Sequence, residues 1–332
     1  MKKYVFLMGI LFCSFLLVGC GRRSDADVLR DMEKALERSN GYYIEGEMEL
    51  INNQDIYRYE VRVSYRNDMF KVNLINKENN HEQIILRNSE GVYVITPSLN
   101  KSFKFQSEWP HNNSQVYLLQ SIINDLKNDA NRTFEEKDGM YVFNSTVHYP
   151  NNRNLRSQVV YVDKDLKIQE VHVLDERGTP AIKMKFNKID MNATFSNNHF
   201  ALNELRESIA EAERAAPVMR IESATHPRYM PLNTHLNSQD NVGKDGGDRV
   251  ISTFAGETPF MIVEETVSIP SDFMVVPVSG DPVLIGGAIA AVTDTSVNFI
   301  SSGIEYYIVS DVMGVQGLLQ VARSLAVSSL QK

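Results

Sequence analysis

The sequence predicts an α+β chain, mainly antiparallel β, in which a long strand meander interrupted by one helix is followed by a smaller β-plus-helix domain. Three observations carry this. Apolar and polar residues alternate with a period of two through much of residues 42–190, the pattern of strands with one wet face. Two stretches, 24–41 and 114–126, replace that rhythm with apolar residues at helical spacing. After residue 203 an acidic helix-prone segment and a Pro/Asn-rich stretch precede a second set of alternating strands and a final helical pattern.

The N-terminus is read first, because it decides which residues have to fold. Lys2 and Lys3 precede "YVFLMGILFCSFLLV", continuously apolar except for Gly9 and Ser14. That is a signal-peptide core, somewhat short for a span of roughly 20 residues. Leu17, Val18 and Gly19 then lead into Cys20. This resembles the bacterial lipobox, which implies cleavage after residue 19 and a diacylglycerol on the Cys20 thiol. Each buried methylene adds about 0.8 kcal/mol, so two acyl chains anchor far more firmly than one. Residues 1–19 are the expected signal peptide, and the expected location is the extracytoplasmic face of the cell membrane.

Cleavage removes Cys13 and acylation blocks Cys20, leaving no thiol for a disulfide or a metal. The whole chain carries 34 basic against 42 acidic residues; without Lys2 and Lys3 that is 32 against 42, a net charge of −10. Such a balance argues against nucleic acid as a partner and against wide contact with anionic lipid. Arg22 and Arg23 lie next to the anchor, where headgroups are within reach.

The meander is justified element by element. Ser24 and Asp27 have capping-box spacing, and Val28, Leu29, Met32, Ala35 and Leu36 share a helical face before Gly41 stops the helix. In "YYIEGEMEL" Tyr42, Ile44, Met48 and Leu50 alternate with Glu45, Glu47 and Glu49, a solvated face more simply than a carboxylate cluster. "NNQD" turns the chain, Tyr57, Tyr59, Val61, Val63 and Tyr65 share one face, "RND" turns again, and Phe70, Val72 and Leu74 follow. "EQIILRN", "GVYVITP" and "SFKFQ" continue the series to the break at "SEWPHNN". Trp109 there reads equally as a hinge, a contact residue or a buried loop anchor. Ser114 is the expected N-cap of the second helix, with Val116, Leu118, Leu119, Ile122, Ile123 and Leu126 on its apolar face. About five further strands run to residue 190, with "DKDLK" and "DERGTP" as hairpin turns. A sheet of this length must curve or close, and the helices' apolar faces fit its concave side.

A family resemblance rests on "LVGCG", "VLRDMEKALERSNGYYIEGEM", "VVYVDKDLKIQEVHVLDERGTPAIKMKF" and "IDMNATFSNNHFAL". Over residues 20–202 the chain resembles the LolA/LolB/RseB superfamily, and within it the YdcC/GerS-type sporulation lipoproteins of Gram-positive spore formers. The resemblance implies an unclosed β-barrel with covering helices and no catalytic signature. Soluble carriers of the superfamily shuttle lipoproteins, whereas this chain is expected to be tethered.

Residues 203–217, "NELRESIAEAERAAP", read as a helical connector, and 218–332 as a small C-terminal α+β domain. "HPRYMPLNTHLNSQD" is rich in Pro and Asn and "NVGKDGGDRV" reads as loop; residues 233–249 are the expected site of proteolysis, with the fragment from Cys20 expected to stay folded. "RVISTF", "FMIVEETVSI", "MVVPV" and "EYYIVSD" are the expected strands, and Val315, Leu318, Leu319, Ala322 and Leu325 the face of the last helix. "PRYMP" (227–231), "GDRVISTFAGETPFMIVEE" (247–265) and "EYYIVSDVMGVQGLLQVARSL" (305–325) resemble a domain that follows such lipoprotein domains; the resemblance implies no enzymatic activity.

The seven histidines form no metal spacing. "ISSG" and "VSGD" lack a nucleophile-elbow frame, and "GKDGGD" lacks the phosphate-loop Lys-Ser/Thr ending. No catalytic residue, metal or cofactor is expected. The aromatic strip Tyr57, Tyr59, Tyr65 and Phe70 is either core beneath the helices, the simpler reading, or the lining of a groove for an acyl chain or partner peptide. The leading expectation is a non-enzymatic scaffold at the forespore/mother-cell envelope, binding spore envelope or cortex machinery such as a cell-wall amidase. The alternatives are a carrier of lipid or lipoprotein acyl chains, an RseB-like sensor acting on a membrane anti-sigma factor, and last an undetected hydrolase.

Overall fold

A computed structural model describes residues 23–52, 55–106, 109–110, 113–211 and 220–329. Cys20 and the expected lipobox residues Leu17, Val18 and Gly19 lie outside the described residues, as does the end of the expected connector. Helix α1 (Asp25–Arg38) starts as the sequence predicts. The Ser24 hydroxyl accepts from the Asp27 amide at 3.2 Å, satisfying one of the donors left open by a helix start. Val28, Leu29 and Met32 are buried on one face. Each such side chain contributes roughly 1.5–3 kcal/mol on full burial.

Six antiparallel strands follow: β1 (Tyr42–Asn52), β2 (Asp55–Arg66), β3 (Met69–Asn76), β4 (Glu82–Asn88), β5 (Gly91–Thr96) and β6 (Lys101–Phe105). Asn67 and Asp68 take φ of 50° and 61° in the β2–β3 turn, the left-handed pair that matches strand twist. After α2 (Leu119–Asn128) come β7 (Thr133–Lys137), β8 (Met140–Thr146), β9 (Leu155–Val162), β10 (Ile168–Asp175) and β11 (Pro180–Asp190). Strand β11 returns to pair with β1, and a bulge falls at Glu45/Gly46. A Cβ on Gly46 would lie 2.4 Å from the Lys185 carbonyl oxygen, so only glycine fits there. The result is an open, coiled antiparallel sheet with α1 and α2 packed into its hollow against Tyr42, Ile44, Val61, Val72 and Met184.

Helix α3 (Leu202–Glu211) is not a free connector. Leu205 and Ile209 are buried against Ile84, Leu86, Tyr93 and Ile95 on the outer face of β4 and β5. Those two strands are therefore covered on both faces, which is why "IILR" and "VYVIT" read as near-continuous apolar runs.

The second sheet contains seven strands: β12 (Thr234–Lys244), β13 (Gly247–Gly256), β14 (Phe260–Thr266), β16 (Asp281–Ile285), β17 (Ala288–Val292), β18 (Ser296–Ser301) and β19 (Ile304–Val309). Helix α4 (Gly314–Ser329) packs Leu318, Leu319, Ala322 and Leu325 onto one face of it. The "PRYMP" segment is tied to the same unit: the Thr225 amide donates to Glu264 Oε1 at 2.7 Å, and Met230 packs on its core.

Three expectations are corrected here. Ser114 does not cap α2: that helix begins after Leu118 without a side-chain cap, and the Ser114 hydroxyl instead accepts from the His148 amide at 2.7 Å. The exposed stretch expected at 233–249 falls in the hairpin β12–β13, paired from Thr234–Gly256 to Lys244–Gly247. Both faces of β12 are mostly wet, so no apolar alternation marks it; the backbone ladder holds it, with side-chain bonds from Asn237 and Ser238 to Thr253 and from Lys244 to Glu265. Finally "MVVPV", expected in the second domain, is β15 (Met274–Val278), and it joins the first sheet by parallel pairing with β6. Pro277 lacks an N–H, which an edge position tolerates. The twelve-stranded first sheet thus runs β15-β6-β5-β4-β3-β2-β1-β11-β10-β9-β8-β7 and is completed by the C-terminal part of the chain.

Candidate functional site

The hollow of the first sheet is the natural place for a ligand, and it is occupied from two sides. At one end Tyr65 stacks on Tyr42 at 4.8 Å, and the Tyr42 hydroxyl donates to the Gln120 side-chain oxygen of α2. Phe70 meets Trp109 edge-on at 5.4 Å, so Trp109 is a buried loop anchor. At the other end the β16–β17 hairpin enters from the second sheet. Its Gly286 carbonyl accepts from the Tyr59 hydroxyl, and the Ile289 amide donates to Gln83 Oε1 at 2.9 Å. Ile289, Leu284 and Ala291 join the first domain's core. Gly286 has φ of +50°, and a Cβ there would lie 3.0 Å from the Tyr57 ring. The turn can approach the ring closely only because this residue has no side chain.

The four aromatic candidates are therefore placed under two different covers. Tyr57 and Tyr59 lie beneath the hairpin at 3% and 2% exposure, Phe70 lies beneath the Trp109 loop, and Tyr65 is half-buried beside α2. Tyr57 and Tyr59 are packed under a C-terminal hairpin where the sequence assigns helices, whereas Tyr65 and Phe70 also line a cleft beside α2. Burial raises the phenols of Tyr57, to about 12, and of Tyr59. Tyr57 Oη is buried without a hydrogen-bond partner.

Two clefts remain. The first, about 310 Å³, lies where the hairpin and α4 meet the hollow. Its apolar lining includes Leu50, Ile182, Leu284 and Ile289; amide side chains of Asn113, Gln115, Asn151 and Asn152 and the guanidinium of Arg323 supply polar groups. The second, about 250 Å³, runs beside α2 between Tyr65, Ser114, Asp125 and His148. Burial pushes Asp125 up to about 6, against hydrogen bonds from Ser114 and Gln158 that favour the ionised form. Ser114, Asp125 and His148 make no catalytic relay: the Ser114 hydroxyl is engaged by the His148 backbone amide, not by its ring.

Among the described residues no three His, Cys, Asp or Glu side chains are grouped to hold a metal. His199 is sandwiched between Phe195 and Phe200, and burial, then Lys71 and Arg66, push it down to about 4. Sequence reasoning missed Gln83, Asn152, Gly286 and Arg323. "IGGAI" could have marked a tight turn, and Arg323 stands out as a lone cation close to the apolar face of α4.

The first sheet is open, antiparallel through eleven of its strands, with helices packed in its hollow. A family model described as sporulation protein YdcC-like matches residues 1–200. The sporulation protein YdcC of Bacillus subtilis (strain 168) is 30% identical over 328 residues, covering 98% of this chain and 97% of that protein. The chain belongs to the YdcC-like family of sporulation proteins. Among solved structures it is similar to MucB, with TM-score 0.35, 13% identity, and coverage of 92% of this chain and 98% of that one. It is similar to a chain of the complex of the CwlD amidase from Clostridioides difficile with the GerS lipoprotein, with TM-score 0.30, 18% identity, 53% of this chain and 98% of that one. A LolA superfamily protein from Nitrosomonas europaea gives TM-score 0.32, 10% identity, 55% of this chain and 100% of that one.

Proposed function

We propose that this YdcC-like protein is a lipid-anchored, non-catalytic scaffold that holds a protein partner at the extracytoplasmic face of the membrane during spore formation. The observation that carries the choice of scaffold over carrier is the β16–β17 hairpin in the hollow, bonded through Tyr59–Gly286 and Gln83–Ile289. An acyl-chain carrier would have to expel its own hairpin, stripping two buried hydrogen bonds and the cover of Tyr57 and Tyr59. The anchor is Cys20, at most five residues before α1, which would hold the first domain close to the bilayer.

Native mass spectrometry of the chain released from nanodiscs tests the choice. A scaffold gives the mass of the lipidated chain alone or with a stoichiometric protein partner, a cell-wall amidase being the class to test first. Additional phospholipid or lipoprotein retained in a fixed ratio would instead establish a carrier. Metabolic labelling with a palmitate analogue tests the anchor: label should be incorporated by the native chain and lost in Cys20→Ala.

A further inference from the structure

The cleft between hairpin, α4 and hollow contains a half-buried cation, Arg323, and a buried acceptor without a donor, Asn152 Oδ1. Arg323 is half-buried, and among the described residues no carboxylate lies close enough to its guanidinium to pair with it. Its acidic neighbour along the rim, Asp175, is already engaged within its own turn by the Arg177 side chain at 3.1 Å and by the amides of Arg177 and Thr179. Burial pulls the Arg323 guanidinium down to about 10, so it remains charged at neutral pH. Asn152 Oδ1 is buried in the lining of the same cleft and has no hydrogen-bond donor. Polar groups in such positions are ordinarily paired, because an unmade hydrogen bond at a buried site costs about 1–3 kcal/mol.

We propose that this cleft captures the free C-terminal carboxylate of a short apolar peptide tail: the carboxylate on Arg323, a backbone N–H of the tail on Asn152 Oδ1, and its side chains on Leu50, Leu284 and Ile289. The chemistry selects this occupant. A planar guanidinium suits a carboxylate, with which it forms paired N–H···O bonds. A fatty-acid anion would satisfy Arg323 but has no donor for Asn152, whereas a peptide supplies an N–H beside its carboxylate. The amide-rich lining of Asn113, Gln115 and Asn151 fits a polypeptide backbone better than a hydrocarbon chain. The volume, about 310 Å³, stands at the lower end of ligand sites, about 300–1,000 Å³, which suits a short tail. The site lies between the two sheets, so a bound tail would also pin α4 and the hairpin to the first domain.

The proposal rests on the chain acting by binding protein, and its test is separate from the test of that reading. The probe is a fluorescein-labelled hexapeptide ending in Ala-Leu-Leu with a free carboxylate, titrated against the full chain in nanodiscs and read by fluorescence anisotropy. Its C-terminally amidated twin and dodecanoate as a competitor complete the set. The free acid should bind and the amide should bind at least ten-fold more weakly. Arg323→Gln should weaken the free acid about ten-fold and leave the amide unchanged, with Arg323→Lys intermediate. Asn152→Leu should weaken both peptides several-fold. Equal binding of acid and amide to the native chain, or no binding at millimolar peptide, would overturn the proposal without any variant having to fold. Displacement of the peptide by dodecanoate at lower concentration than by unlabelled peptide would assign the cleft to a fatty-acid anion and overturn it too. If the peptide fails while a protein partner is still found by native mass spectrometry, the scaffold reading stands and only this inference falls.

Discussion

At the scale of single residues, two neighbouring tyrosines separate burial from bonding. Tyr59 donates to the Gly286 carbonyl, whereas Tyr57 Oη is buried with no partner. Tyr59→Phe should therefore cost about 1 kcal/mol or more, because it leaves the Gly286 carbonyl unpaired. Tyr57→Phe should be neutral or stabilising by up to about 1 kcal/mol, because it removes an unsatisfied hydroxyl. Urea denaturation of both variants checks the difference in sign. Asp125 makes a second case. Its folded-state value is pushed up to about 6 from 3.8 by burial, so the folded chain binds its proton more tightly than the unfolded one. That stabilisation is fully present below about pH 4 and is lost as pH rises through about 6. Asp125→Asn, which keeps the neutral shape, should exceed the native chain by about 1–3 kcal/mol at pH 7.5, with the gap closing near pH 4. Denaturation curves at the two pH values measure it; a gap that does not change with pH would refute the assignment.

At the scale of elements, the β16–β17 turn is the contact on which the hollow's cover depends. Gly286→Ala places a side chain where φ is +50° and the Tyr57 ring is 3.0 Å away. The backbone alone costs roughly 1–2 kcal/mol, and the ring or the turn must also move. The expected outcome is a loss of about 2–4 kcal/mol and faster hydrogen exchange at the Ile289 amide, whose acceptor is Gln83. Gly178→Ala is the control: φ is +76° but nothing lies within 4 Å of a Cβ. It should show the backbone cost alone and leave Ile289 protected. The elements that sequence reading found and those it missed differ in a physical way. β1, β2 and β3 have one dry and one wet face, and Tyr57, Tyr59, Val61 and Val63 display that in their spacing. β17 is buried at Ala288, Ile289, Ala290 and Val292, so its residues do not alternate. β12 is wet on both faces and carries no apolar signal. Period-two reasoning is blind to both extremes.

For the whole molecule, the connection between the two sheets is more than a linker. Strand β15 pairs with β6, Asn100 Nδ2 donates to the Pro270 and Ser271 carbonyls at 3.0 and 3.3 Å, and Phe273 packs on the outer core. A protease nick in the exposed β12–β13 turn, at 245–246, should therefore leave two fragments that co-elute in size-exclusion chromatography until denaturant is added. A chain truncated after residue 211 should bind a hydrophobic dye and melt at lower temperature, since it exposes Tyr57, Tyr59 and the β6 edge. Separation of the nicked halves, with the N-terminal one keeping its native melting temperature, would show that the C-terminal part is dispensable to the first sheet.

The sequence by itself determined the meander, the two helices in its hollow, the capping of α1 by Ser24 and the buried face of α4, because each is written in the spacing of residues near one another along the chain. It also identified the aromatic strip as apolar surface in need of a cover. Only the tertiary structure decided what that cover is. Gly286, 227 positions from Tyr59 along the chain, meets both Tyr59 and Tyr57, and Gln83 closes on Ile289 across a separation of 206. The cleft with Arg323 and Asn152 has the same origin. A local pattern states how much apolar surface a segment must bury, but which distant segment buries it depends on shape and unmade hydrogen bonds that exist only once both sheets are formed.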